Sequence, residues 1–327
     1  MQAISAPTRT LNMAHEQAAK RVAAIDVGSN SLKLTVGDVS QDGTITVIDQ
    51  HRVHVQLGGP VTRSGCVGRE TIARVVAGVQ ELVDRARGEG VDGIAIVGTS
   101  AVREAADSSA LLAAVREATG LTIRILTGHE EAMLTLRALE GTPGTDACVL
   151  GLIDVGGGST EVAVVRTGNI ECVASIPVGA VRLKELHGTG SRLDEIQQKV
   201  LTAEIDAAID SHLPATLPTP DVVFATGGTV TALAMIDAMG MPLDASELIA
   251  VEGRCVSLDT ISTLADRLAA WSASERMKHA GISMARAEVL VPGACILRQV
   301  LRRLNAHACR VYEQGLRGGL LRQLAFG

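Results

Sequence analysis

The chain has 327 residues, 46% of them apolar, which allows sizeable cores and suggests about two domains. Its formal net charge is −6, and only four residues are aromatic, namely Trp271, Tyr312, Phe224 and Phe326. Because nucleic-acid binding depends on phosphate neutralisation and, for single strands, on aromatic stacking, this composition argues against a nucleic-acid partner.

The first part of the chain predicts a sheet of strands with helices on its faces. The apolar patterns predict, in order, strands over 22–27, 32–39 and 44–50, a helix over 71–87, a strand over 93–98, a helix over 109–119 and a strand over 122–126. This order is that of a ribonuclease-H-like half-domain with a mixed sheet.

The pattern then restarts. The sequence predicts a helix over 130–139, a loop over 141–146, strands over 148–154, 161–166 and 170–178, a helix over 193–211, a strand over 222–225, a helix from 229, a helix over 284–305 with a potential break at Pro292 and Gly293, a strand over 310–314 and a helix over 315–324. We therefore expect an α/β fold with two ribonuclease-H-like domains, mixed sheets flanked by helices and an active-site cleft between them. Domain I is predicted over 20–127 with 309–327, and domain II over 128–308.

The sequence also bears on the cellular compartment and on the N-terminal residues. No apolar run reaches membrane-spanning length, so no membrane partner is expected. Six cysteines are scattered without a Cys-x-x-Cys pair, a pattern that predicts buried thiols in a reducing, cytoplasmic compartment. Residues 1–19 are polar and lack the apolar core of a signal peptide, and we expect them to form a flexible leader.

Two short stretches of the sequence are nearly alike. Residues 25–31 have the sequence Ile-Asp-Val-Gly-Ser-Asn-Ser, and residues 153–161 have Ile-Asp-Val-Gly-Gly-Gly-Ser-Thr-Glu. In each, an apolar strand ends on an aspartate, Asp26 or Asp154, and a glycine and serine turn leads into a second strand. Because a domain length separates the two, they predict related half-molecules that face each other across the cleft.

The chemistry of such turns favours phosphate. Glycine and serine let the backbone approach an anion, and successive N–H groups form an anion-binding concavity. A carboxylate beside phosphate would repel it, so Asp26 and Asp154 require a cation between them and the substrate, or a role in positioning water. Mg²⁺ is the expected cation, with Mn²⁺ as the alternative, since Mg²⁺ takes one or two carboxylates together with substrate phosphates. For either stretch alone, the alternative is a hairpin whose turn simply needs glycine.

Six stretches, taken together, carry a resemblance to a known family. They lie at 26–31, 98–103, 128–132, 154–161, 178–182 and 225–229, and include Gly-Ser-Asn-Ser, Gly-x-Glu-Glu-Ala and Asp-x-Gly-Gly-Gly-Ser-Thr-Glu in that order. The chain resembles the exopolyphosphatase / guanosine pentaphosphate phosphohydrolase (Ppx/GppA) family of the actin–Hsp70–sugar kinase superfamily, in its short two-domain form. The resemblance covers about residues 20–320 and implies an actin-like ATPase fold.

The resemblance also implies roles for particular residues. The two turns would bind substrate phosphates from opposite walls: Gly28, Ser29, Asn30, Ser31, Gly156, Gly157, Gly158 and Ser159. Glu131 would be the general base or would position the water. Asp154 and Glu161 would bind Mg²⁺ and orient the attacking water, and Asp26 is a further candidate ligand. The alternative for Glu131 is an exposed acidic residue in the first turn of a helix.

Two basic residues are candidate phosphate ligands. Arg103 follows a strand and a Gly-Thr-Ser turn, and its alternative is a surface salt bridge. Lys33 follows the first turn, and its alternative is an exposed strand residue. The family's Arg-Leu-Gly stretch is replaced here by Gln-Leu-Gly at 56–58. Either one positive phosphate ligand is missing, or Arg52 or Arg63 replaces it.

The expected function is release of terminal orthophosphate from inorganic polyphosphate, with preference for short chains because the long form's C-terminal domain is not recognised. The alternatives are hydrolysis of the 5′-terminal phosphate of guanosine pentaphosphate, a kinase of the same superfamily, or a regulator that binds nucleotide or polyphosphate without turnover. Family members are often dimers, which implies a homodimer.

Overall fold

The computed structural model describes residues 19–241 and 250–327. The predicted leader therefore lies outside the described residues, apart from its last position. In the first part of the described chain the elements are, in order, β1 (Lys20–Val27), β2 (Ser31–Val39), β3 (Ile45–His54), α1 (Gly58–Ser64), α2 (Arg69–Gly88), β4 (Gly93–Gly98), α3 (Ser100–Glu104), α4 (Ser108–Thr119), β5 (Ile123–Ile125) and α5 (Gly128–Ala138).

The second part repeats the theme with additional helices. Its elements are β6 (Val149–Val155), β7 (Thr160–Arg166), β8 (Asn169–Ile176), α6 (Ala180–His187), α7 (Glu195–His212), β9 (Val222–Thr226), α8 (Gly228–Met239), β10 (Cys255–Ser257), α9 (Leu258–Ala269), α10 (Ala273–Ala280), α11 (Met284–Arg303), β11 (Ala308–Val311) and α12 (Gly315–Phe326).

The two sheets share one strand order. The first runs β3-β2-β1-β4-β5, and the second runs β8-β7-β6-β9-β11 with β10 added at its edge. In each sheet three strands form an antiparallel meander, and β4 or β9 joins the central strand in parallel. The predicted duplication is therefore present, and the predicted fold class, two mixed sheets flanked by helices, is confirmed.

Helices cover both faces of each sheet. Buried side chains of α2 and α4 pack on one face of the first sheet, while α5 and α12 pack on the other. Helix α5 also contributes Ala138 to a buried cluster with the second sheet, so it lies between the two sheets. Helices α5 and α12 cross closely, because a Cβ added to Gly319 would lie only 1.9 Å from the Leu134 carbonyl oxygen. Helices α5 and α12 therefore form a layer between the two sheets at the base of the cleft.

Several elements are absent from the sequence prediction: α1, α3, α6, α9, α10 and β10. Helices α1 and α3 have only seven and five residues, too few to display a helical period. Helix α9 does carry that period, since Ile261, Leu264 and Leu268 are buried along one face. The signal for α9 was thus present in the sequence, whereas the shortest helices are set by their tertiary contacts.

The break expected at Pro292 and Gly293 is wrong, because α11 continues through both residues. Residues 289–301 of this helix are all buried. Their packing outweighs the loss of one backbone hydrogen bond, which costs about 3 kcal/mol at an interior proline. Gly293 serves close packing instead, since an added Cβ would lie 2.2 Å from the Thr229 hydroxyl.

The prediction of buried thiols is half right. Cys172, Cys295 and Cys309 are buried, but Cys148 and Cys255 are exposed. Cys255 lies on the edge strand β10, and Cys148 immediately precedes β6.

The predicted domain division stays a prediction, with one difference at its C-terminal end. Of residues 309–327, which were assigned to domain I, α12 packs on the first sheet, but β11 pairs in parallel with β9 of the second. Within the described residues, no single helix is long and apolar enough to cross a membrane. Helices α10 and α11 pass that test only as a pair, and they are bent by 101°.

Candidate active site

A cavity of about 600 Å³ lies between the two sheets, where the cleft was predicted. The β1–β2 turn and the β6–β7 turn line it from opposite sides. All the sequence-predicted site residues except Arg103 line this cavity: Asp26, Gly28, Ser29, Asn30, Ser31, Lys33, Glu131, Asp154, Gly156, Gly157, Gly158, Ser159 and Glu161.

The two turns touch each other. A Cβ added to Gly157 would lie 2.8 Å from the Ser29 Cβ, and one added to Gly158 would lie 2.3 Å from the Ser100 hydroxyl. Any side chain at either position would therefore push the turns apart. Among the described residues, the backbone N–H groups of Ser29, Asn30, Gly157 and Gly158 have no hydrogen-bond partner. Such free, converging donors form the concavity expected for a phosphate group.

Cross-strand register places the charged side chains at the turns. Asp26 is paired with Lys33 across β1 and β2, and Asp154 with Glu161 across β6 and β7. The position opposite the aspartate is therefore a lysine, Lys33, in the first half and a glutamate, Glu161, in the second. The Lys33 Nζ lies 3.8 Å from Asp26 Oδ2, while the buried Asp26 Oδ1 has no hydrogen-bond partner among the described residues.

Burial raises the pKa of the second-half carboxylates. The pKa of Asp154 is raised to about 6, chiefly by loss of solvent, although Lys33 opposes this and Asp26 adds to it. The pKa of Glu161 is raised well above its ordinary value by burial and then by Glu131 and Asp154. Ser175 donates a hydrogen bond of 2.7 Å to Glu161 Oε1. A divalent cation among these groups would offset their repulsion.

The residues present fit Mg²⁺ held jointly with substrate. No group of three His, Cys, Asp or Glu side chains within the described part of the chain is arranged to hold a metal ion by itself. Mg²⁺ does not require such a cage, since it usually takes one or two carboxylates, substrate phosphates and waters. Asp26, which has one unpartnered carboxylate oxygen, and Asp154 both line this cavity and are the expected protein ligands.

Glu131 lies in the first turn of α5, and it is buried rather than exposed. Thr127 caps this helix in a capping box that uses the carboxylate of Glu130, so the two adjacent glutamates have different tasks. Glu131 is only 5% exposed and forms an ion pair with Arg103. Burial raises the pKa of Glu131 to about 7, against the opposing effect of Arg103. The alternative of an exposed acidic residue therefore does not hold for Glu131.

Arg103 contacts the carboxylate of Glu131 and the carbonyl oxygen of Leu126 instead of the main cavity. It lines a second, smaller pocket. Its predicted alternative, a salt bridge, is present, but the bridge is half-buried and joins a candidate catalytic residue. A phosphate-binding role for Arg103 stays a prediction.

Among the described residues, four basic side chains line the cavity: Lys33, Arg52, Arg286 and Arg317. Burial lowers the pKa of Lys33 to about 8 and that of Arg286 to about 10. Arg52 adds to the lowering of both pKa values, and it is paired with Lys33 across β2 and β3. A cluster of cations that share a half-buried site is arranged for a multiply charged anion.

Sequence reasoning missed Arg286 and Arg317. Arg286 packs on Gly228, where an added Cβ would lie 2.1 Å from Nη2, so the glycine at the start of α8 makes room for this guanidinium. Arg317 reaches the cavity from α12 and donates a 2.8 Å hydrogen bond to Thr35. Neither belongs to a local motif that could have identified it.

The stretch at residues 56–58, where the sequence departs from the family pattern, lies beside the first turn. The Gly58 N–H donates to the Ser29 carbonyl oxygen at 2.7 Å, so this stretch supports the first turn through its backbone. Of the two arginines considered as replacements, Arg52 lines the cavity, whereas Arg63 pairs with Glu185 outside it.

Comparison with known proteins extends over nearly the whole chain. A model of the Ppx/GppA phosphatase family matches residues 35–325. The chain is 27% identical over 305 residues to exopolyphosphatase 1 of Mycobacterium tuberculosis, covering 92% of this chain and 87% of that protein. It is 24% identical over 306 residues to a guanosine-5′-triphosphate,3′-diphosphate pyrophosphatase of Photobacterium profundum, covering 92% of this chain and 59% of that protein.

Solved structures agree with these matches. The crystal structure of the Aquifex aeolicus member of the Ppx/GppA family superposes with a TM-score of 0.75 at 26% identity, covering 93% of this chain and 97% of that one. The family resemblance and the expectation of a hydrolase are confirmed: with two facing glycine turns and buried carboxylates between them, the chain belongs to the Ppx/GppA phosphatase family.

Proposed function

We propose that this protein is an exopolyphosphatase that releases terminal orthophosphate from inorganic polyphosphate, with preference for short chains. The observation that carries the proposal is the combination of two facing turns with free N–H donors and a cluster of four cations in one cavity. The two turns would bind the terminal phosphoryl group of polyphosphate. The four cations would bind the phosphate units that follow it in the substrate. Four positive charges in one cavity match a polyanion better than a singly charged anion.

The protein's own groups supply most of the hydrolytic chemistry. The turn N–H groups hold the terminal phosphoryl group and stabilise the negative charge on its equatorial oxygens. Glu131 orients a water for in-line attack and accepts its proton as the new P–O bond forms. The bond to the bridging oxygen breaks, and the shortened chain departs with that oxygen. Lys33 and Arg52 lie near enough to the cavity to stabilise the departing anion.

Mg²⁺ held by Asp154, with Asp26 and Glu161 as further candidates, would neutralise phosphate charge that these carboxylates otherwise repel. These carboxylates would also accept hydrogen bonds from the attacking water and so orient it. Ser175 restrains Glu161 and Arg103 restrains Glu131, so both carboxylates are held in fixed directions.

A second candidate is hydrolysis of the 5′-terminal phosphate of guanosine pentaphosphate. It is favoured by an apolar patch in the cavity that could receive a base, formed by Ala232, Met235, Ile282 and Val289. A relative named as a guanosine-5′-triphosphate,3′-diphosphate pyrophosphatase is consistent with it. Polyphosphate remains the first choice because no aromatic residue of the described chain lines this cavity for stacking.

The test is orthophosphate release with Mg²⁺ from short-chain polyphosphate, long-chain polyphosphate and guanosine pentaphosphate at matched concentrations of chain ends. We expect kcat/KM for short polyphosphate to exceed that for the nucleotide by about tenfold or more, a difference of roughly 1.4 kcal/mol in transition-state binding. Preference for the nucleotide would support the second candidate. Binding without release from any substrate would identify a regulator.

The pH dependence of kcat/KM tests the role of Arg103. Because a general base must be ionised, we expect kcat/KM to rise with pH through the pKa of Glu131, about 7 in the free protein. Arg103 lowers this pKa, so Arg103→Met should move the acidic limb upward by about one pH unit or more. Arg116→Met, at an exposed site on α4, is the matched control. If Arg103 binds phosphate instead, kcat/KM should fall at every pH without movement of the limb.

The homodimer, the cytoplasmic location and the preference for Mg²⁺ over Mn²⁺ stay predictions. Each is open to a direct measurement: the mass of the protein in solution, its location in the cell, and activity with each cation in turn.

A further inference from the structure

A second pocket of about 350 Å³ adjoins the cavity on the far side of Glu131. Ser159, the last residue of the second turn, lines both the cavity and the pocket. Arg103 lines the pocket and pairs with Glu131, which lines the cavity. The two spaces are therefore separated by a wall only a few side chains thick, which we call the Glu131 wall.

Hydrogen-bonded pairs build this wall, each with one partner on either side. Three such pairs join a cavity residue to a pocket residue: Glu131 to Arg103, Glu161 to Ser175 (2.7 Å) and Ser100 to Glu104 (2.7 Å). None of these contacts is a backbone hydrogen bond. A wall made of side-chain pairs opens by rotamer changes, which need no rearrangement of the sheets.

The pocket offers donors for an oxyanion. Of the guanidinium nitrogens of Arg103, only Nη1 has a hydrogen-bond partner among the described residues, which leaves Nε and Nη2 free to donate. His129 and His212 line the same pocket from two different helices. Glu104, the acidic residue here, is neutralised by an ion pair with Arg182. The recognisable ligand class is therefore a small oxyanion.

The reaction itself generates such an anion at the wall. On the proposed function, the terminal phosphoryl group lies beside Glu131, and the rest of the chain extends toward the cations of the cavity. After hydrolysis, orthophosphate is left between the Glu131 wall and the shortened chain. We propose that the second pocket is a binding and exit site for orthophosphate, which leaves through the Glu131 wall without waiting for the shortened chain to dissociate.

This inference rests on the proposed function, and the experiment separates the two. Rapid quenching measures total orthophosphate formed, and a phosphate-binding sensor measures free orthophosphate released, both with short-chain polyphosphate and Mg²⁺. His212→Trp and Pro177→Trp each narrow the pocket from an exposed position outside the catalytic machinery. Ala203→Trp, exposed on the same helix as His212 but outside the pocket, is the control.

We expect both pocket variants to form orthophosphate at the wild-type rate in the first turnover and to release it about fivefold more slowly or worse. A burst of about one orthophosphate per active site should appear in the quenched samples. Release that keeps pace with formation in both variants would overturn the exit site while leaving the proposed function intact. Absence of orthophosphate formation by the wild-type protein would overturn the proposed function first.

Discussion

Glu131→Gln is expected to lower kcat by about 100-fold or more while KM stays close to the wild-type value. Glutamine keeps the size of the side chain and can still accept a hydrogen bond from Arg103, so the Glu131 wall should stay in place. It cannot accept a proton from the attacking water. The measurement is the steady-state rate of orthophosphate release from polyphosphate over a range of substrate concentrations.

Glu130→Gln provides the matched control, since it makes the same chemical change one residue earlier. Glu130 belongs to the capping box of α5 and does not line the cavity. We expect kcat to be unchanged and the free energy of unfolding to fall by about 1 kcal/mol at most. Equal losses of kcat in the two variants would mean that the start of α5 acts through its structure. A wild-type kcat in Glu131→Gln would remove Glu131 from the mechanism.

The parts of the site that lie within a local motif could be predicted from the sequence. A strand followed by Asp-Val-Gly predicts both a turn and a carboxylate at its start. Because the motif occurs twice, at 26–28 and 154–156, the sequence also predicts two turns that face each other. The structure adds why the glycines are needed: Gly157 and Gly158 admit Ser29 and Ser100 of the opposite half. That contact joins residues more than 50 positions apart, and no local spacing encodes it.

The remaining parts depend on long-range packing. Arg286 reaches the cavity because Gly228 leaves room for it, and Arg317 arrives on the last helix of the chain. Each of these arginines, taken alone in the sequence, is indistinguishable from an exposed arginine. Arg103 and Glu131 were both predicted as site residues, but their ion pair was not. That pairing depends on where α3 and α5 meet, which the sequence does not show. The sequence therefore predicts which residue types are present more reliably than which of them touch.

Asp154→Asn is expected to abolish most activity and to weaken the response of the protein to Mg²⁺. At saturating Mg²⁺ we expect kcat to fall by about 100-fold, and the Mg²⁺ concentration for half-maximal activity to rise about tenfold. The reason is that Asp154 is half-buried in the cavity opposite Glu161, with its pKa raised to about 6, and a cation is the partner that relieves this cost. Asp26→Asn, measured in parallel, shows whether the equivalent aspartate of the first half contributes as much as Asp154 to activity and to the Mg²⁺ response.

Stability gives a readout of the same site that does not depend on turnover. The carboxyl of Asp154 ionises near 3.9, its ordinary value, when the chain is unfolded and at about 6 when it is folded. Folding therefore stabilises the protonated carboxyl of Asp154. This contribution to the free energy of unfolding is complete below the unfolded pKa and is lost as the pH rises through about 6. Without metal at pH 8, Asp154→Asn should consequently be more stable than the wild type, by about 3 kcal/mol. Below pH 5 this difference should shrink.

Mg²⁺ should cancel most of this difference in stability, because it binds the folded wild type and offsets the cost of the ionised carboxylate. At a Mg²⁺ concentration a hundredfold above its Kd, the wild type should gain about 2.7 kcal/mol, and Asp154→Asn should gain little. Thermal unfolding with and without Mg²⁺ at pH 8 measures both effects. If Mg²⁺ stabilises the variant as much as the wild type, Asp154 is not its anchor. If Asp26→Asn alone loses the response, the metal belongs to the first turn, and Asp154 acts on the water instead.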